Sequence, residues 1–368
     1  MRFRCDRDVL AEALQTVQRG VSTRPGIPAL TGVLMTVGEE DLTLATTDLE
    51  VSTELRLPVQ PQEPGTALVP ARLVTDIVRK LDDAPVEFSA ADGQASISCA
   101  AYEGQIRCLP AEDFPARRQP EGTRVTVAGA EFGEAVKQVA RAASKDEARP
   151  ILTGVLIEAN REGLTLVATD SYRLAVRELT AQGQGETKAL VPERALTEAG
   201  RAAEGEEKGE VEILLEDSQV TFRIGALTLT SRLIEGEFPN YRQLLPEGYD
   251  NRLVVSRVGL LDAASRVGLL ARENSPVRLE FNALGVRLSS SSPDLGGAVE
   301  VVEAEYQGED LTVAFNPGYL IDGLNAAVGD KARVEVRDGL KPAVVRGGGD
   351  ELLYLVMPVR LPEVARAG

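Results

Sequence analysis

The chain has 368 residues, 43% of them hydrophobic and 26% charged, with a formal net charge of −17 and neither His nor Trp. Such a balance suits a soluble globular protein able to bury cores of ordinary domain size. The missing histidines exclude Ser-His and Cys-His nucleophile pairs and histidine metal sites, and no run approaches the ~18 apolar residues of a membrane helix.

From the N-terminus, Met1-Arg2-Phe3-Arg4-Cys5-Asp6 has no apolar stretch of the kind a secretory signal carries, so the cytoplasm is the expected compartment. Leu10, Ala13, Leu14 and Val17 fall at i, i+3, i+4 and i+7, which predicts an amphipathic helix with Asp8 as N-cap. Alternation then predicts strands over 31–37, 42–46, 50–57, 85–90, 95–99 and 105–109, each ending at Gly, Asp or Pro. A second helix begins just after Pro70, since Pro is tolerated in a first turn. Cys5, Cys99 and Cys108 are an odd set with neither disulfide nor metal spacing.

The next third repeats the first. Residues 30–34 read L-T-G-V-L, and the same letters return at 152–156, 122 positions later. Leu42-Thr43-Leu44 and Thr47-Asp48 recur as Leu164-Thr165-Leu166 and Thr169-Asp170, and Leu68-Val69-Pro70 recurs as Leu190-Val191-Pro192. Phe132, Ala135, Val136 and Val139 repeat the helical stripe, as do Leu260, Ala263, Ala264 and Val267 in a fainter third copy. Second helices are predicted from Pro192 and Pro317. A period this long means repeated domains rather than solenoid units. The expected boundaries are 1–120, 121–246 and 247–368, the last with a short tail. Strands outnumber helices about three to one, so the fold class is α+β: in each copy two helices packed on antiparallel sheets, with copies joined edge to edge.

Catalytic signals are missing. No phosphate-binding loop occurs, and Gly347-Gly348-Gly349-Asp350 reads as a hairpin turn. Asp82-Asp83 and Glu39-Glu40-Asp41 read as solvated loops, while Asp48 and Asp170 follow Thr at equivalent strand ends, as side-chain-capped turns would. The chain is expected not to be an enzyme and to need no cofactor or metal.

Three tracts carry a resemblance: Ala168-Thr169-Asp170-Ser171-Tyr172-Arg173-Leu174, Glu235-Gly236-Glu237-Phe238-Pro239-Asn240-Tyr241-Arg242, and Tyr354-Leu355-Val356-Met357-Pro358-Val359-Arg360-Leu361. With the three repeats they resemble the bacterial β sliding clamps, processivity subunits of DNA polymerase III. The resemblance spans the chain. It implies a ring of two head-to-tail chains, six domains around duplex DNA, helices lining the hole and sheets outside. It also implies sequence-independent DNA binding, a clamp loader, the polymerase α subunit, and exchange among repair polymerases, ligase and mismatch-repair proteins, all at the nucleoid and with no membrane partner.

A clamp must slide, so an acidic outer wall with a mildly basic lining fits the charge. The candidate lining is Arg24, Arg72, Arg79, Lys80, Lys137, Arg141, Lys145, Arg149, Arg194, Arg201, Arg266 and Arg272, Arg24 and Arg149 matching family positions that touch DNA. The implied peptide pocket comprises Leu152, Thr169, Ser171, Tyr172, Arg173, Leu174, Pro239, Gln243, Leu244, Asn316, Tyr319, Leu340, Leu355, Met357, Pro358, Val359, Arg360 and Leu361. Gly104, Gln105 and Ile106 are expected to meet Leu269 and Leu270 of a second copy; the alternative for the two leucines is core packing. Where the family commonly has Gly-His, this chain has Ser171-Tyr172, and Pro150-Ile151 replaces aromatics of some members. A competing reading is a structural or adhesive three-domain binding protein with no DNA function.

Overall fold

The computed structural model describes residues 1–21, 26–116, 120–161, 163–183, 185–205, 209–246, 248–271 and 275–360. Arg24, Arg272, Leu361 and the tail 362–368 lie outside them. Six α-helices are present among the described residues: α1 Arg7–Gln18, α2 Ala71–Lys80, α3 Gly129–Ala140, α4 Glu193–Glu204, α5 Arg257–Gly268 and α6 Pro317–Ala326. None is long and apolar enough to cross a membrane. Each third of the chain holds two of them, as the repeated stripe predicts.

By spatial contact the chain divides into two compact units, one of residues 1–130 with 201–233, the other of 131–200 with 234–368. In the first, strands Gln60–Glu63, Arg2–Cys5, Val86–Ala91, Gln94–Cys99 and Tyr102–Arg107 form a five-stranded sheet in that spatial order. A second sheet runs Thr123–Ala128, Glu210–Leu215, Gln219–Ile224, Leu227–Arg232, Val51–Pro58, Asp41–Thr47, Gly32–Val37 and Gly65–Pro70. Its middle joint pairs Leu227 with Leu55 and Ser231 with Val51, so strands of two sequence repeats share one hydrogen-bonded ladder.

The core of this unit follows from the stripe: Leu10, Leu14 and Val17 of α1 and Val74 and Val78 of α2 are buried with Val33, Met35, Leu44, Phe88 and Ile97. Phe3 stacks on Phe88 at 5.2 Å. Each such side chain contributes about 1.5–3 kcal/mol on burial, so Phe88→Ala would cost about 3–5 kcal/mol. Thr46, itself buried, donates to the Val17 carbonyl at 2.6 Å, a second donor beside the Gly20 amide at 3.0 Å at the end of α1.

The second unit has a nine-stranded sheet ordered Thr187–Pro192, Gly154–Ala159, Gly163–Thr169, Arg173–Thr180, Leu352–Val356, Ala343–Arg346, Lys331–Val336, Asn251–Ser256 and Ala304–Gln307. Here the joint between repeats is Arg173–Thr180 against Leu352–Val356, with Leu174 opposite Leu355. A four-stranded sheet follows the order Gly296–Val302, Gly285–Ser292, Val277–Asn282 and Leu311–Phe315. Ser290 caps the Val267 carbonyl of α5 at 2.7 Å, the same device as Thr46 on α1. Helices α3 and α4 approach closely at Gly200, where a Cβ would lie 2.7 Å from Val136.

Several expectations need correction. The N-cap of α1 is Asp6, whose carboxylate accepts from the Asp8 amide at 3.3 Å; Asp8 already lies in the first turn. The strand expected over 105–109 is Tyr102–Arg107. Pro70 ends a strand and stands at the N-cap of α2, and only α6 carries its proline, Pro317, inside the first turn. Strands Arg2–Cys5, Gln60–Glu63 and Gly65–Pro70 were not anticipated, so with 27 strands to six helices the ratio exceeds four to one among the described residues. The glycine run 347–349 does connect two paired strands, as expected of a hairpin turn.

Candidate peptide pocket and basic surface

The tract after Thr169 is shaped by its own side chains. Asp170 Oδ1 accepts from the amides of Tyr172 at 2.9 Å and Arg173 at 3.0 Å, and Thr169 Oγ1 accepts from the Ser171 amide at 3.2 Å. The resulting turn puts Ser171 at φ 81°, a left-handed conformation that costs a serine about 1–2 kcal/mol. It leaves Tyr172 58% exposed and turns Arg173 inward.

Arg173 is the electrostatic centre. Its Nε donates to Asp170 Oδ2 at 3.0 Å, its Nη1 donates to Asp322 on α6 and to the Tyr354 hydroxyl at 3.2 Å, and its guanidinium lies 4.7 Å from the Tyr319 ring centroid. Burial opposes its charge, yet Tyr354, Asp322 and Asp170 together hold it above the ordinary arginine range. Burial pushes the Tyr354 phenol up as well, against the pull of Arg173. Such a pair resists removal of either partner, because an uncompensated buried charge remains.

Around this centre the walls assemble. Asn316 caps α6, accepting from the amides of Gly318 at 2.9 Å and Tyr319 at 3.3 Å, which fixes Tyr319 where it stacks on Tyr172 with centroids 6.2 Å apart. The Met357 amide donates to the Tyr172 carbonyl at 2.8 Å, and the Val359 amide to Ala314 at 2.8 Å, so the segment after Val356 is tied down on both sides. Leu174 and Leu355 belong to one buried cluster with Tyr241, against which Phe238 and Leu245 pack.

The short helical turn Tyr241–Leu244 hangs from Glu158. Its carboxylate accepts from the Tyr241 hydroxyl at 2.9 Å and pairs with Lys188 at 2.6 Å and with Arg242. Burial would raise the carboxyl, but hydrogen bonds from Arg242, Lys188 and Tyr241 prevail and bring it down to about 2. Leu244 is thereby left 50% exposed.

These contacts draw together Thr169, Ser171, Tyr172, Arg173, Leu174, Asn316, Tyr319, Leu355, Met357 and Val359 of the expected pocket. Pro358 is half-buried next to them, and Leu152 is buried in the short turn Pro150–Leu152. The contacts do not include Pro239, Gln243 or Arg360, all exposed, or Leu340, which stands 72% exposed in an Asp338-capped turn. Asp322, Tyr354, Glu158 and Tyr241 were missed. A tyrosine inside the apolar strand Leu352–Val356 and an Asp one turn after Tyr319 were the available signals. Exposed apolar groups above a rigid charged base can seat the side chains of a short peptide.

The expected duplex-facing cations are exposed: Arg72, Arg79 and Lys80 on α2, Lys137 on α3, Arg141, Lys145 and Arg149 beyond it, Arg194 and Arg201 on α4, and Arg266 on α5. Several are held by acids: Arg141 by Asp322 at 3.7 Å, Lys145 by Glu193 at 3.4 Å, Arg149 by Asp146 at 2.8 Å and Arg266 by Glu300 at 2.6 Å. Arg149 and the Ala148 amide keep Asp146 below the usual carboxylate range.

Two of the sheets' end strands bear on the expected contact between copies. Tyr102–Arg107 closes the five-stranded sheet and carries Gly104, Gln105 and Ile106, the last buried in the core. Gly296–Val302 closes the four-stranded sheet, with Val299 and Val301 more than half exposed. Leu269, 79% exposed just past α5, is not a core residue; Leu270 is half-buried. A concavity of about 490 Å³ on the five-stranded sheet is lined by polar groups including Arg2, Glu87, Ser89, Ser96 and Ser98. It offers little to an apolar anchor.

Three family models match in succession: the DNA polymerase III beta subunit N-terminal domain over residues 1–118, its central domain over 126–240 and its C-terminal domain over 242–360. The beta sliding clamp of Streptomyces coelicolor is 37% identical, the match covering 98% of this chain and 100% of the relative. A beta sliding clamp of Pseudomonas aeruginosa is 32% identical, over 98% of this chain and all of the relative. Among solved structures, a sliding clamp of Pseudomonas aeruginosa bound to griselimycin superposes with a TM-score of 0.93 at 32% identity, over 98% of this chain and 100% of that one. The clamp of Bacillus subtilis superposes with a TM-score of 0.93 at 29% identity and the same coverage. The chain therefore belongs to the DNA polymerase III beta subunit family, the bacterial beta sliding clamps.

Proposed function

We propose that this protein is the processivity clamp of a replicative DNA polymerase, a non-catalytic subunit that encircles duplex DNA as a closed ring of two chains and acts in the cytoplasm. The observation that carries the reading is the sheet joint. Repeats are fused edge to edge at Val51–Pro58 with Leu227–Arg232 and again at Arg173–Thr180 with Leu352–Val356, while Tyr102–Arg107 and Gly296–Val302 remain open. Pairing these two edges between two copies closes the assembly and removes them as exposed edges. Gly104, Gln105 and Ile106 of one copy then face Leu269 and Leu270 of the other. The repeats are read as spanning 1–120, 121–246 and 247–368.

In this reading the exposed arginines and lysines supply a weak phosphate field suited to sliding. The Tyr172–Leu174 and Leu355–Val359 tracts, with Tyr319 and Leu244, take peptide anchors from the polymerase α subunit, the clamp loader and repair proteins. The test is topological. Rings loaded by a clamp loader and ATP onto nicked circular DNA are expected to be retained on the circle and lost when it is linearised; equal retention on both forms refutes encirclement.

A further inference from the structure

Ser171 holds a conformation that glycine would adopt without strain, and its hydroxyl has a use. Arg149 Nη1 donates to Ser171 Oγ at 3.2 Å, while Arg149 Nε stays on Asp146 Oδ2 at 2.8 Å. Asp146 is itself anchored, accepting from the Ala148 amide at 3.0 Å and donating its own amide to Ser144 Oγ at 3.1 Å. One guanidinium thus reaches from the exposed segment beyond α3, which also carries Arg141 and Lys145, to the turn that carries Tyr172. A second thread runs beside it, since Asp322 pairs with both Arg141 and Arg173.

Resting on the clamp reading, we propose that Ser171 is a positioning residue that couples phosphate engagement at Arg149 to ligand affinity at the Tyr172 pocket. The bond to Ser171 is long and its acceptor neutral, whereas a phosphate oxygen offers a charge-assisted bond about twice as strong. A passing phosphate therefore draws Nη1 off Ser171 while Asp146 retains Nε. Ser171 loses the contact that ties its hydroxyl to Arg149, and Tyr172, half-exposed and stacked on Tyr319, is freed to re-seat around a ligand. DNA in the ring raises pocket affinity, and by linkage a pocket ligand raises the hold on DNA by the same factor.

The probe is labelled griselimycin, which a related clamp binds. Its dissociation constant is measured on free rings and on rings loaded on nicked circular DNA. The expected result is tighter binding on loaded rings, by on the order of fivefold, with the difference shrinking as salt rises. Ser171→Gly relieves the backbone strain, so it folds, and is expected to bring the ratio to one; Ser171→Asn, which tolerates left-handed backbone and restores an acceptor, is expected to recover it. A wild-type ratio of one, or an unchanged ratio in Ser171→Gly, overturns the coupling. Linearisation of the same circles separates that outcome from failure of the ring itself, which shows as equal retention on both forms.

Discussion

In the first repeat Thr47 Oγ1 accepts from the Leu49 amide at 3.1 Å and Asp48 Oδ1 from the amides of Glu50 and Val51 at 3.1 and 2.8 Å; in the second, Thr169 and Asp170 make the same three bonds one period later. Even the strained residue is reproduced, Leu49 at φ 76° against Ser171 at φ 81°. Each turn opens the strand that joins two repeats. What differs is what the turn displays. Leu49, Glu50 and Val51 offer a half-exposed aliphatic, a carboxylate and a core residue, whereas Ser171, Tyr172 and Arg173 offer a hydroxyl, a stacking ring and a buried cation. Backbone geometry is shared between the repeats, and three side chains differ.

Breaking the scaffold on each side gives the largest contrast. Asp170→Ala removes two amide caps and half of a buried ion pair, and should cost about 3–5 kcal/mol in urea unfolding. Asp48→Ala removes two amide caps, a loss of about 1 kcal/mol from the caps themselves. A loss of only about 1 kcal/mol in Asp170→Ala, the size of a lost cap, would show that Arg173 draws nothing from Asp170.

Next come the displayed rings. If the proposed peptide site is right, Tyr172→Ala should weaken binding of a peptide ligand on the order of tenfold and leave the unfolding midpoint nearly unchanged, because the side chain is 58% exposed. Leu49→Ala should move neither quantity. Isothermal titration of both variants decides it.

A third contrast lies in the neighbouring strands, where the Thr36–Thr66 hydroxyl contact at 3.4 Å occupies the place taken by Glu158–Lys188 in the second repeat. The folded Glu158 carboxyl sits at about 2, below its unfolded value near 4.3, so its stabilisation is complete above about pH 4.5 and is lost as pH falls towards 2. Glu158→Gln should remove about 1 kcal/mol at neutral pH and flatten the acid limb between pH 4.5 and 2. An acid limb identical to wild type would show that this carboxylate is not what acid titrates. The smallest effect is expected for Leu49→Gly, where release of left-handed strain and the added freedom of the unfolded chain nearly cancel, within about 0.5 kcal/mol.

The repeat, the six helices and most strands of the first copy were legible, because apolar stripes and Thr-Asp turns are local. Tyr102–Arg107 was displaced because Gly104 breaks the alternation; its place is covered by the Tyr102 ring, whose hydroxyl would lie 2.3 Å from a Cβ there. Arg2–Cys5 was missed because four residues with only Phe3 and Cys5 inward are too short to show a period. The pocket tracts were readable through resemblance, whereas the partners of Arg173 were not. Asp322 and Tyr354 lie 149 and 181 positions away from it, and only the joint between repeats brings them together.

That joint also separates ancestry from cooperativity. The middle repeat gives its Thr123–Ala128 and Glu210–Arg232 strands to one compact unit and its Gly154–Pro192 strands to the other. Cut out at the repeat boundaries, it would expose Leu227–Arg232 and Arg173–Thr180 as raw edges, each able to recruit a foreign strand. The segment that looks most like a module in the alphabet of the gene is thus the one least suited to live as a fragment, and any truncation meant to isolate the pocket must carry Leu352–Val356 with it.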